Sequence, residues 1–283
     1  MIQPYQTLRN GLVGAWCPSL GATGYTLLDR TLYGRNGILT NMAGQLSWVG
    51  SGESVALNFD VSNDYVSLPS SVSIAIGSPF TVSLWAYTIN LTTQLYPHLC
   101  TFFTPGQTVP FEIAVSAQSG YVGVVFGSAL GIWNTWRADP SWQSGRWNHV
   151  AVTYNGGATN VSSSFGVFVN GRAISVTTAN SFSTLTNAST LGGVAGGGGT
   201  NFLFGYMDDV RLYSRALRQS EASVLASRRG IGLAPQRQRR FRKIGNQWYI
   251  NVGGTWKPAA AFLNVGGTWK AADGRLNVAG TWK

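Results

Sequence analysis

Few side chains in this sequence can do covalent chemistry. Its 283 residues hold two histidines, two cysteines and ten carboxylates. His98 and His149 are the available bases for a nucleophilic serine, and neither lies in a G-x-S-x-G context. His149 sits in "WNHVAVTY", whose alternation marks a strand, so a packed or hydrogen-bonded imidazole beside Trp147 is expected. Cys17 and Cys100 lack metal-site spacing and are too few for a disulfide framework, which leaves two buried thiols. The run "GGVAGGGGTN" lacks the Lys-Ser/Thr ending of a phosphate loop and reads as a flexible connection.

The remaining signals are aromatic and basic. Trp133, Trp136, Trp142 and Trp147 fall within fifteen positions. Trp147 belongs to a strand, whereas Trp133, Trp136 and Trp142 stand among Asn, Arg, Asp, Pro and Ser, as loop residues do. Exposed, such rings stack on sugars or anchor a protein interface; folded over a sheet edge, they form a satellite core. Of the net charge of +10, most sits in Arg228, Arg229, Arg237, Arg239, Arg240, Arg242 and Lys243. A local cluster of this kind says little about the rest of the chain. Arg237, Arg239, Arg240, Arg242 and Lys243 form a candidate docking arm for an acidic surface. Nucleic acid is disfavoured as a partner, because Phe241 alone accompanies the charge where stacking aromatics are needed.

The last forty residues repeat themselves. "NVGGTWK" occurs at 251–257 and 264–270 and "NVAGTWK" at 277–283, after a diverged "IGNQW" at 244–248. Each unit sets two turn-competent residues between a β-branched residue and a polar-Trp pair, the layout of a very short hairpin. One such hairpin has no second layer to bury its apolar side. Trp248, Trp256, Trp269 and Trp282 are therefore expected to find partners by stacking within the chain, by homo-oligomerising or by docking.

The elements that position these residues are mainly strands. Charged residues are 11% of the chain and glycines number 36, a composition that reads all-β. "FTVSLWAY" (80–87) alternates Val82, Leu84 and Ala86 against Thr81, Ser83, Trp85 and Tyr87. "SFGVFVNGRAISV" is split by Asn170-Gly171, a two-residue type I′ hairpin signal, and "YMDDVRLYS" alternates again. One short helix follows, with Ser220 as its cap and Ala222, Leu225 and Ala226 as its apolar stripe. Residues 113–136 carry no charge, but their Gly, Ser, Gln and Asn suit strands and loops, so no membrane span is expected. The organisation expected is an arm (1–8), a folded domain (9–228), a basic linker (229–243) and hairpin repeats (244–283). The first residues show no basic patch followed by an apolar core and cleavage site, so synthesis in a cytoplasm without a signal peptide is expected.

In order, "GLVGAW", "LLDRTLYGRNGILTN", "ALNFDVSNDYVSLPSS", "FTVSLWAY", "RWNHVAVTYNG", "FVNGRAI", "LGGVAGGGG" and "YMDDVRLYSRALRQSE" resemble the landmarks of laminin-G-like jelly rolls of the concanavalin A-like lectin/glucanase superfamily. The resemblance covers about residues 9–225. It implies an antiparallel two-sheet jelly-roll sandwich with a concave face. It also implies one structural calcium, with Asp29, Asn36 and Asp208 or Asp209 in the corresponding positions; the alternative is that Asp29 caps a turn and Asp209 pairs with an arginine. The superfamily's glucanases carry carboxylates at alternate positions of one strand; here Glu112 stands alone in "PFEIAV", and catalysis is not expected. The closing helix, the linker and the repeats are similar to the ends of proteins from tailed-bacteriophage virions. The expected function is a non-enzymatic virion structural protein, a capsid decoration or tail component, with other virion proteins as partners. The alternatives are a glycan-binding host-adhesion module and a divergent glycoside hydrolase.

Overall fold

The computed structural model of the chain describes residues 7–51, 54–60, 62–75, 77–89, 97–106, 111–115, 122–127, 133–138, 142–158, 162–178, 188–194, 202–233 and, in shorter pieces, 241–244, 247–252, 255–259, 262–265, 268–271, 277–278 and 281–282. Two units divide the chain, Met1–Leu233 and Ala234–Lys283.

The first unit is a sandwich of two antiparallel sheets. One has eight strands, in the order Arg172–Ile174, Phe165–Val169, Trp147–Tyr154, Phe80–Thr88, Phe204–Tyr213, Ser54–Asp60, Trp48–Ser51, with Leu12–Trp16 also paired to Phe204–Tyr213. The other has nine, from Val176–Thr178 through Trp133–Ala138, Val122–Gly127, Phe111–Val115, His98–Phe102, Thr190–Leu191, Tyr65–Ser67 and Gly37–Thr40 to Thr26–Leu27. The period-two alternation decides what lies between them. Val82, Leu84, Ala86, Val150 and Val152 of the first sheet meet Phe102, Phe111, Ile113, Val122 and Val124 of the second in one continuous core. Each large side chain buried there contributes roughly 1.5–3 kcal/mol. The Asn170-Gly171 hairpin forms as expected: Val169 pairs with Arg172, and both turn residues have positive φ, 50° and 79°. The two thiols, Cys17 and Cys100, are free and buried, and burial pushes both well above the usual thiol range.

The sequence reading and the structure differ at several elements. Trp133 and Trp136, expected in a loop, lie on a strand that pairs Trp133 with Gly127 and Trp136 with Val124 and Thr178. Their polar neighbours are compatible with a strand because one face of an antiparallel sheet can meet solvent. The helix is Gln219–Leu225 and begins two residues earlier than a cap at Ser220 would allow, with Arg218 at its N-cap. The reason is Glu221, whose Oε2 accepts from the Arg218 N–H while both its oxygens bind Arg215, so that the acid of the third helical residue ties off the end. Ala222 and Leu225 face inward as the stripe predicted. Residues 229–233, expected to open the linker, belong to the first unit. The end of the expected arm also packs, with Leu8 1% exposed beside Tyr213, Leu217 and Ile231.

In the second unit each repeat forms a tight antiparallel pair. Ile244 faces Gln247, Val252 faces Thr255, Val265 faces Thr268 and Val278 faces Thr281, which leaves two residues between the strands in every case. These pairs make one three-stranded and two two-stranded sheets. Phe241–Ile244 is itself a strand, so Arg242 and Lys243 leave the expected linker and enter the first hairpin. Among the described residues no helix is long and apolar enough to cross a membrane.

Candidate functional site

The outward side of the eight-stranded sheet carries the first unit's densest polar and aromatic chemistry. Its organiser is the strand Phe204–Tyr213, whose register against Phe80–Thr88 shifts between Asp208 and Arg211. Asp209 sits at that bulge with φ 50°. A bulge of this kind re-aims a side chain, and the positive φ is a local cost that the surroundings must offset. Here the Asp209 carboxylate receives Arg211 through two hydrogen bonds, from Nε to Oδ1 at 2.7 Å and from Nη2 to Oδ2 at 2.8 Å. It also accepts from the Gly230 N–H at 2.7 Å, while Arg211 Nη2 donates to the Ile231 carbonyl at 2.7 Å. A buried ion pair needs such additional bonds to offset its desolvation. The segment 229–233 is thus a strap, drawn onto the sheet by the bulge.

Beneath the strap Asp208 Oδ1 accepts from the backbone N–H groups of Ser19 and Asp209, and its other oxygen lies 3.5 Å from Arg229. Burial, reinforced by the neighbouring Asp209, pushes the Asp208 carboxyl up to about 6. His149 bonds Ser83 at 2.8 Å and packs against Trp85, whose Nε1 donates to Leu225 O. Burial, with Arg211 nearby, pushes this imidazole down to about 3, so it is neutral at physiological pH.

Where the strap ends, an aromatic ladder begins. Trp147 pairs with Tyr87 and Tyr87 with Tyr206, which in turn faces Asn58, so one row crosses four adjacent strands. The Tyr87 and Tyr206 centroids are 5.4 Å apart, Tyr87 and Trp147 6.0 Å, and Arg229 stacks 4.2 Å over Trp147. All four residues of the row are half-buried. Gly205 permits this register. Its φ is 148°, and a Cβ there would lie 1.8 Å from the Tyr87 carbonyl oxygen.

The residues singled out from sequence fall elsewhere. Asp29 and Asn36 do come together: the Asp29 N–H donates to Asn36 Oδ1 at 2.9 Å. Asp29 itself accepts from the N–H groups of Ala15, Thr31 and Arg35 and from the Thr31 hydroxyl, which ties the loop 29–36 to the strand Leu12–Trp16. Both oxygens expected to hold calcium are therefore acceptors of protein donors, as a turn-capping Asp would be, and Asp208 and Asp209 are engaged in the strap. Among the described residues no group of three or more His, Cys, Asp and Glu is placed to hold a metal, and the donor set at Asp29 does not fit a calcium ion without displacing those bonds. Trp142 is a core residue, 5% exposed, with Nε1 bonded to Thr88 Oγ1 at 3.1 Å, so it presents no ring to a ligand. The side chains of Trp133, Trp136, Trp248, Trp256, Trp269 and Trp282 lie outside the described set, as do Arg237, Arg239 and Arg240 entirely. Glu112 is fully buried in its strand, opposite Thr101 and Val125. Tyr206 carries no signal of its own in the sequence, and Arg229 stands out there only as part of the basic cluster. Alternation in "YMDDVRLYS" could place Tyr206 on a face, but only register places it beside Tyr87.

Two antiparallel sheets closed on one core, with an aromatic and polar outer side, define a lectin-like jelly roll. The chain belongs to the concanavalin A-like lectin/glucanases superfamily, whose family profile matches residues 60–223. Among solved structures, it is similar to domain 4 of AbnA, a GH43 extracellular arabinanase from Geobacillus stearothermophilus, in complex with arabinotriose: 24% identity, 76% of this chain and 98% of that one, TM-score 0.53. The receptor binding domain of botulinum neurotoxin D matches at 13% identity over 76% of this chain and 52% of its own, TM-score 0.53. A Trypanosoma rangeli sialidase matches at 18% identity over 76% and 32%, TM-score 0.50. These likenesses carry the fold. The curated proteins give no sequence match.

Proposed function

We propose that this chain is a non-enzymatic structural protein of a bacteriophage virion, a capsid decoration or tail-associated component, whose jelly roll recognises a host-surface glycan. The observation that carries recognition is the Tyr87–Tyr206 ladder, two half-buried rings fixed 5.4 Å apart beside Asn58. Aromatic faces held by a rigid sheet stack on sugar rings at little entropic cost, and an adjacent amide supplies hydrogen bonds. Domain 4 of AbnA was solved in complex with arabinotriose, and the ladder offers this chain a place for a sugar ring. Hydrolysis is disfavoured by how the described carboxylates are used. A glycosidase needs two that flank one bond. Asp208 and Asp209 serve the strap, Asp29 caps its loop, Glu221 binds Arg215, Asp64 accepts from the Asp60 N–H, Asp60 accepts from the Ser62 N–H, and Glu112 is fully buried.

The assembly half of the reading rests on the second unit. Sheets of two or three very short strands are marginal alone in water. Four such hairpins in these three sheets suit attachment or homo-oligomerisation.

A glycan array probed with the full chain tests recognition. Binding is expected for a limited glycan set and should weaken about tenfold or more in the Tyr87→Ala/Tyr206→Ala variant, as loss of a stacking anchor does. Signal no higher than background across the array would sink the glycan reading. Assembly is tested by adding the chain truncated after Leu233 to particles: decoration as complete as that by the full chain would remove the role given to the repeats.

A further inference from the structure

A second surface, distinct from the ladder, has the composition of a protein-docking site. An open cleft of ≈ 610 Å³ is lined by Arg9, Leu12, Arg30, Leu32, Tyr33 and Leu233, with Thr31 at its side. Its most prominent wall is the tip of the loop 29–36, where Leu32 is 105% and Tyr33 58% exposed. The large apolar side chains found exposed among the described residues are Tyr25, Leu32, Tyr33, Ile38, Leu46 and Ile89, and all but Ile89 fall between positions 25 and 46. Exposed apolar residues scattered singly need no explanation, but Leu32 and Tyr33 stand side by side on the wall of one cleft, as interaction surfaces do.

Two further observations say what kind of partner fits. The tip is rigid: the Asp29 hydrogen bonds hold it from below, and Trp16 Nε1 donates to the Arg35 carbonyl at 2.9 Å. A preorganised loop loses little entropy on binding, which a surface selected only for solubility would not require. The charged side chains that line the cleft, Arg9 and Arg30, are both basic, and Arg35 follows on the same loop. Arg9 donates to Gly232 O, Arg30 to Gly21 O and Arg35 to Val13 O, all backbone carbonyls, and Arg35 stacks 4.7 Å over the Tyr33 ring. The ion pairs seen among the described residues involve Arg211, Arg215 and Arg229 and none of these three. Guanidinium groups that donate only to carbonyls retain donors suited to bidentate carboxylate recognition.

We propose that this cleft docks an acidic protein segment carrying one large apolar side chain, the apolar group entering between Leu12, Leu32 and Leu233 and its carboxylates meeting Arg9, Arg30 and Arg35. A second copy docked cleft to cleft by two-fold symmetry is a poor occupant, because it would bring the same arginines to the same place. The volume is that of a pocket for a few side chains, so the recognised unit is a short linear segment.

The test is selection of a random dodecapeptide display library on the full chain. Enriched peptides are expected to carry two or more Asp or Glu around one large apolar residue. By fluorescence anisotropy, such a peptide should lose about tenfold or more in affinity with Arg30→Ser and with Leu32→Asp, and change by less than about twofold with Tyr87→Ala/Tyr206→Ala. Leu32 touches solvent on all sides, so its replacement leaves a folded protein even where Arg30→Ser does not. No enrichment, enrichment of neutral or basic peptides, or equal binding by Leu32→Asp would each overturn the proposal. So would concentration-dependent self-association in sedimentation velocity that Leu32→Asp abolishes, which would make the occupant a second copy.

Discussion

Asp29 shows how one carboxylate can look like a metal ligand and work as a clamp. Asn36 lies beside it, and the two oxygens of Asp29 accept three backbone N–H groups and one hydroxyl. Removing that acceptor leaves several buried donors unsatisfied, each costing about 1–3 kcal/mol. Asp29→Ala is therefore expected to destabilise the jelly roll by about 3 kcal/mol or more in urea unfolding, and to release the Leu32–Tyr33 tip to proteolysis. A chelator should act differently. A cation bound only to the folded state would add stability, but the donors around Asp29 already occupy its place, so the melting temperature of the wild type should not move when EDTA is added. A fall would show that calcium displaces these bonds.

At the scale of elements, strands were legible where alternation was clean, and contacts that depend on register were not. "FTVSLWAY" declares its two faces, and Asn170-Gly171 declares its turn, because side-chain period and positive φ are local properties. The strap looks like linker in the sequence, since "RRGIGL" has no periodicity; its partner is a bulge at Asp209, a displacement of register that no local pattern encodes. Two predictions follow from this geometry. Truncation after Arg228 removes the donor and acceptor that Gly230 and Ile231 give to Asp209 and Arg211, and should lower the melting temperature by about 5 °C or more, whereas truncation after Leu233 should leave the first unit's transition in place. Gly205→Ala would drive a methyl group into the Tyr87 carbonyl and force two strands apart. A loss of about 3 kcal/mol or more is expected, with glycan binding lost even where the fold survives.

Over the whole molecule, the sandwich was legible because its core is distributed among many alternating strands, each a weak signal agreeing with the rest. The ladder was half legible: Tyr87 and Trp147 lie on strands the sequence announces, but Tyr206 joins them only through the order of the sheet. The burial of His149 was legible in its strand pattern, but the titration of the buried groups was not, since a pattern gives no measure of solvation. They make the molecule's response to acid a balance between groups in both sheets. Burial pushes His98 down to about 4 and His149 to about 3, from an ordinary value of 6.5. As pH falls below 6.5 the unfolded chain takes up protons that these two imidazoles refuse, so each withdraws stability, on the order of 3 kcal/mol in full. Burial pushes Asp208 and Asp64 up to about 6 from 3.8, so over the same interval the folded chain takes up protons that the unfolded chain does not, and each adds stability as pH falls through 6. The two pairs oppose each other between about pH 4 and pH 6, and the wild type should show a shallow dependence there, with the histidines' larger shifts giving a modest net loss on acidification. Replacing one side exposes the other. Asp208→Asn keeps an acceptor for the Ser19 and Asp209 N–H groups but cannot titrate, and its stability should fall steeply on going from pH 6 to pH 4. His149→Asn removes an opposing group, and its stability, measured by urea unfolding across the same range, should hold or rise as pH falls. Parallel curves for the two variants would show that the balance between the buried imidazoles and carboxyls is not what sets the acid response.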